Sequence, residues 1–323
     1  LGSSLTLDAT VNPDFGQVEA DPAVVNLSAF EVTFGERRPF FVEGAQMLGG
    51  GGENGGRMGP QGYSSRRIGA SPHGWPDAPF VDRPAATPII GATTVTGRRS
   101  TGLSVGALGA LTSAENARTY DSGLDRFEDV SVEPMAGGGV LRLQQEVGGS
   151  GSTVGVTATG VMRQFDSLTD PLRYEMNEQA FTGGSDFLLK LDGNRYELSG
   201  HVGLSYVAGD SAAIARVQTA SAHYFQRPDQ DHVTFDPSRT SLFGTSASVQ
   251  ARKIEGEHWL WGVGVWGDSP FFELNDVGVI RQADDIATWG NVTYRETKPG
   301  RTFRNYSLNL STMNGFNFGG VHK

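Results

Sequence analysis

Apolar and polar residues alternate with a period of two along most of this chain, the pattern of β-strands with two unlike faces. The clearest run is 196–207. Its even positions read Tyr196, Leu198, Gly200, Val202, Leu204 and Tyr206, and its odd positions Glu197, Ser199, His201, Gly203, Ser205 and Val207. One face is apolar with tyrosine at both ends; the other is small and polar. The same alternation sets Val154, Val156 and Ala158 against Thr153, Gly155 and Thr157, and Phe243, Ala247 and Val249 against Gly244, Ser246 and Ser248. Trp259, Trp261, Val263 and Val265 stand opposite Gly262 and Gly264, and Tyr306, Leu308 and Leu310 opposite Ser307, Asn309 and Ser311. Segments 5–11, 88–98, 102–111, 138–147, 187–193, 212–224 and 286–296 complete about a dozen predicted strands.

The spacing carries a dimension. At about 3.3 Å per residue and a tilt near 40°, the run from Tyr196 to Tyr206 covers roughly 25 Å along a membrane normal, the height of a lipid-facing band between two aromatic girdles. Connections at 148–151, 192–194 and 254–257 are short, glycine-bearing turns. Those at 113–133, 166–182, 227–239 and 267–285 are long and carry charge or proline. Short turns at one end and long loops at the other fit a transmembrane barrel. The fold expected is all-β: an antiparallel transmembrane β-barrel, incomplete in this chain, with a long irregular N-terminal segment. A soluble sandwich or propeller uses the same alternation, but it would turn bulky aliphatics inward rather than glycine, serine and threonine. Residues 12–87 alternate little, which divides the chain into 1–87, a first strand plus a Gly/Pro-rich lumen or loop segment, and 88–323, the barrel strands.

Composition narrows the function classes. The 323 residues include 45 glycines and no cysteine, so disulfides, thiolate metal sites and cysteine nucleophiles are excluded. The formal charge of −10 lacks the basic footprint of a nucleic-acid binder. No run of 18 apolar residues exists, so no strand-free membrane crossing is encoded. The chain starts at Leu1 without a signal peptide and reads as a piece of a longer protein.

Few residues suggest chemistry. The glycine tract 49–56 lacks the strand, helix and Lys-Ser/Thr of a nucleotide loop. Asp8, Asp14, Glu19 and Asp21 form an acidic series without calcium-loop spacing, read as a solvated or lumen-facing strip. Arg37, Arg38, Arg66 and Arg67 are basic pairs in an acidic chain; they are expected to meet carboxylates such as Glu43, or else an anionic solute. The candidate binding residues are therefore Asp14, Glu19, Asp21, Arg37, Arg38, Glu43, Arg66 and Arg67. The six histidines show no metal-ligand spacing and no Gly-x-Ser-x-Gly occurs, so no metal, cofactor or catalytic residue is assigned.

The runs 12–21 (NPDFGQVEAD), 38–45 (RPFFVEGA), 63–69 (YSSRRIG), 224–229 (YFQRPD), 236–241 (DPSRTS) and 272–278 (FELNDVG) resemble an uncharacterised bacterial outer-membrane barrel family. In that family the barrel follows a periplasmic carbohydrate-binding domain of family-9 type. The resemblance implies a bacterial outer-membrane location, lipid as a partner, and association with saccharide through an upstream domain of the same polypeptide. It implies a barrel longer than this chain and carries no catalytic residues. Three functions follow as expectations: passage or docking of a saccharide-related solute, glycan hydrolysis by carboxylates in the lumen or loops, or structural anchoring of the upstream domain.

Overall fold

A computed structural model describes residues 4–15, 18, 21–48, 62–121, 123, 125–228 and 230–323. Along these residues run β1 (Leu5–Val11), α1 (Pro39–Val42), α2 (Ala45–Leu48), β2 (Val81–Asp82), β3 (Ile89–Arg98), β4 (Leu103–Thr112), β5 (Glu115–Asp121), β6 (Arg126–Glu133) and β7 (Met135–Val147). There follow β8 (Ser152–Gln164), β9 (Gln179–Leu191), β10 (Tyr196–Ala208), α3 (Ser211–Thr219), β11 (Ser241–Lys253), β12 (Trp259–Asp268), β13 (Asp285–Glu296) and β14 (Tyr306–Phe316).

Eleven strands form one antiparallel sheet in the order β1-β3-β4-β7-β8-β9-β10-β11-β12-β13-β14, so the chain is an all-β protein built as a meander. Among the described residues β1 and β14 are the two ends of this sheet, and it is not closed into a barrel. The expected connection lengths hold: the turns after β3, β7, β9 and β11 are short, and those after β4, β8, β10 and β12 are long.

Two sequence expectations are corrected. Residues 212–224, read as a strand, begin instead with helix α3. Asp210 caps it, its carboxylate accepting from the Ala212 N–H at 2.9 Å, and Ala213, Ile214 and Gln218 are buried along one side. Here the short alternation of small residues is overridden by a cap and a spacing of about four. Residues 113–133, read as a loop, instead contain the hairpin β5–β6, which with β2 makes a separate three-stranded sheet. The hairpin continues the β4–β7 pair beyond the main sheet, with Glu115 opposite Glu133.

The burial of the main sheet follows the predicted faces but inverts the usual contrast. On β10 the apolar Val202 and Leu204 are 57% and 47% exposed, while Ser205 is 2% exposed. The serine-bearing face is the inner one, because the rest of the chain packs on it. The N-terminal segment lies over β3, β4 and β7, where Phe41 and Leu48 join Ile89, Ala92, Leu108 and Val140 in a core. The connection 269–284 crosses β10 and β11: Ser205 Oγ accepts from the Glu273 N–H at 2.9 Å, and the backbone of Phe272 occupies the space a Cβ on Gly244 would take. Only glycine admits that approach.

The long connections are tied to one another by buried charge. His223 lies fully buried between the Pro270 carbonyl (2.9 Å) and Glu273 (2.7 Å). The Asp284 carboxylate, also fully buried, accepts from Gln230 (2.9 Å), His232 (2.8 Å) and the Phe318 N–H (3.0 Å), and pairs with Arg227. Burial opposes its ionisation, yet these donors outweigh it and hold the carboxyl below its ordinary value.

Candidate functional site

The site is assembled on the inner face, where the N-terminal segment meets the strands. The segment has almost no regular structure, so side chains hold it. Arg38 is buried. Its Nε and Nη2 donate to Glu36 at 2.9 and 2.7 Å, Nη1 donates to the Ile68 carbonyl at 2.6 Å, and Nη2 also donates to the Ser65 carbonyl at 2.8 Å. Its guanidinium lies 4.3 Å from the Phe41 ring centre, a cation–π contact. The Ser65 hydroxyl donates to Glu36 at 2.6 Å. Burial raises the Glu36 carboxyl, but the bonds from Arg38 and Ser65 together overcome it and bring the pKa down to about 2.

Arg66 pairs with Asp21, and Arg67 grips Glu31 with two parallel bonds of 2.9 and 2.7 Å while donating to the Gly278 carbonyl at 3.1 Å. Arg38, Arg66 and Arg67 thus tie the segment to itself, and Arg67 also ties it to the connection after β12. Of the predicted residues, Asp21, Arg38, Arg66 and Arg67 are drawn together by these bonds. The carboxylates that meet Arg38, Arg66 and Arg67 are Glu36, Asp21 and Glu31. Arg37 and Glu43 are exposed, and the Glu43 N–H closes α1 on the Pro39 carbonyl at 3.1 Å. Asp14 is exposed. Glu19 and the tract 49–56 lie outside the described residues.

Between segment and wall lies a cavity of about 110 Å³. Tyr63, Arg67 and Ile68 line it from the segment, Glu133 from β6, Arg163 from β8 in the main sheet, and Asp276 from the connection after β12. Arg163 donates to Asp276 at 2.6 Å, and Asp276 also accepts from the Asn177 amide at 2.6 Å. Glu133 accepts from the His73 N–H at 2.8 Å and is 2.7 Å from the His73 ring. Two buried polar atoms here have no partner among the described residues: the Tyr63 hydroxyl and the Arg163 Nε–H. Burial, followed by the Glu36 charge, raises the Tyr63 phenol, which keeps its proton.

Further along the inner face a polar row crosses five strands. Arg142 is 4% exposed and forks onto Asp186 at 2.6 and 3.0 Å, also donating to Thr157 and Gln144. Asp186 faces His201 in register, and His201 faces Ser248. The two imidazole nitrogens lie 2.7 Å from the Ser248 hydroxyl and 2.9 Å from that of Ser246. Serine, histidine and aspartate therefore share a row without forming a nucleophilic relay, since both Asp186 oxygens are taken by Arg142.

Sequence reasoning missed Glu36, Glu31, Tyr63, Arg142, Arg163, Asp186 and Asp276. The one available signal was strand parity: Arg142, Arg163 and Asp186 fall on inward positions among small residues, where an unbalanced charge is costly and a partner is required.

The model for a domain of unknown function, DUF5916, matches residues 1–319. No curated protein matches the chain, and no solved structure does.

Proposed function

We propose that this chain, which belongs to the DUF5916 family, forms the membrane-spanning wall of an outer-membrane β-barrel, and that it docks or passes a saccharide-related solute along its inner face. The observation that carries the reading is the outer face. From β8 to β13 its positions between the strand ends carry no charged side chain among the described residues, while Val156, Val202, Phe243 and Val263 are exposed. In water such an extended apolar surface would be covered by a partner; acyl chains meet it at no cost.

Aromatic residues rim this surface at both ends. At the short-turn end Tyr196 lies 6.2 Å from Trp261, Trp259 5.0 Å from Tyr294, and Tyr294 6.0 Å from Tyr306, ring centre to ring centre. At the other end Phe181, Tyr206 and Phe243 stand side by side in register. Rings with a polar handle favour the two interfaces of a bilayer.

The topology agrees with this orientation. Leu5 pairs with Gly97 beside the short turn after β3, so a carbohydrate-binding domain preceding β1 hangs on the short-turn side, the periplasmic side in such proteins. The segment packed over β3, β4 and β7 then sits within the lumen, and solute passage requires it to shift.

The chain has no cysteine, which makes the test simple. Val202→Cys and Ser248→Cys variants of the full-length protein, labelled with a fluorophore, are placed in vesicles holding brominated lipid. Quenching at 202 with little at 248 is expected. Equal, weak quenching at both removes the membrane reading. Saccharide-dependent swelling of the same vesicles tests passage.

A further inference from the structure

We infer that the cavity between the N-terminal segment and the wall is a binding site for one small, uncharged, hydroxyl-bearing solute, a polyol of glycerol size; this rests on the membrane-wall reading above and specifies what the inner face holds. Three observations lead there.

The first is unmet hydrogen-bonding capacity. The Arg163 side chain is only 6% exposed, and its Nε–H has no acceptor among the described residues. The Tyr63 hydroxyl is buried with neither donor nor acceptor among them. Such a group is costly to leave unmet in a protein interior. A hydroxyl group accepts from the first and exchanges bonds with the second.

The second is charge balance. Both guanidiniums among the described lining residues are paired with carboxylates, Arg163 with Asp276 and Arg67 with Glu31, and the Glu133 carboxylate accepts from the His73 backbone N–H. An anion would have to draw a guanidinium away from a carboxylate, and a cation the reverse. A neutral solute disturbs neither, and Ile68, Val161 and Val277 offer it carbon surface.

The third is size and position. Space of about 110 Å³ holds on the order of four waters, enough for one polyol of glycerol size in their place. The walls come from three separate stretches of chain: the segment, strands β4 to β8, and the connection after β12. A solute seated there bridges all three, so its arrival tightens the segment against the wall.

The experiment is equilibrium dialysis of the full-length protein in detergent against radiolabelled glycerol and erythritol, with labelled phosphate and acetate as charged controls. Saturable uptake of about one equivalent of a neutral polyol is expected, without uptake of either anion. Tyr63→Phe removes only the hydroxyl and should weaken binding about five- to tenfold. Ala110→Leu fills the space and should abolish it. Uptake of an anion alone, uptake unchanged in Tyr63→Phe, or no uptake at all overturns the assignment. In each of those cases strong lipid quenching at residue 202 shows that the membrane reading survives; loss of quenching there removes both.

Discussion

Arg38 and Glu36 hold the least regular part of the chain, and their chemistry sets its response to acid. Glu36 titrates at about 2 in the fold against an ordinary 4.5. A lowered carboxylate contributes its full stabilisation above the ordinary value and loses it as pH falls toward the folded one. Protease protection of residues 21–48 should therefore hold at neutral pH and fall between 4.5 and about 2. Glu36→Gln should lower protection at neutral pH and flatten that step; an unchanged acid profile would count against the pair. Phe41, 1% exposed beneath the Arg38 guanidinium, anchors the same segment by burial. Phe41→Ala should cost about 3–5 kcal/mol of segment docking, read as faster cleavage within it or faster amide exchange. The arginines were visible in the sequence as basic pairs in an acidic chain, and ion pairing was the expected role. Their partners were not visible, because Arg67 and Glu31 lie 36 residues apart and meet only through the path of an irregular segment.

At the level of elements, strand identity was legible and the exceptions have a cause. Along most of β10, β11 and β12 apolar residues alternate with small or polar ones, so each strand declares both its extent and its two faces. Helix α3 was hidden because its nine residues, five of them alanine, valine or isoleucine, also alternate over short stretches. Its cap makes the difference testable: Asp210→Ala should cost about 1 kcal/mol locally and speed amide exchange in 211–219 without changing exchange in β10. The hairpin β5–β6 was hidden because both its faces are polar and charged, which removes the contrast that marks a strand. The packing of the connection 269–284 onto β11 rests on a missing side chain. Gly244→Ala should push Phe272 off the sheet and increase proteolysis of that connection, while β11 itself keeps its pairing.

For the whole molecule, the contrast between faces leads to a directional test. Val202→Arg puts a charge on the outer face and should cost roughly 2–4 kcal/mol of bilayer stability. Ser248→Arg, placed among His201, Ser246 and Gln250 on the inner face, should cost far less. Heat- or denaturant-induced unfolding in vesicles compares the two; equal losses would mean that the outer face is not in lipid.

Period-two alternation by itself determined that this is an antiparallel all-β chain with one apolar and one small polar face per strand, because side chains alternate across any strand whatever surrounds it. Which face the rest of the chain would cover was decided by tertiary structure: the described parts of the 12–87 segment and the connection after β12 pack on the serine side and leave the valines bare. Contacts between residues distant along the chain also created the cavity, its unmet Tyr63 and Arg163 groups, and the pairing of each arginine. A local pattern can state that a charge must be compensated, but only the folded path brings the compensating group within reach.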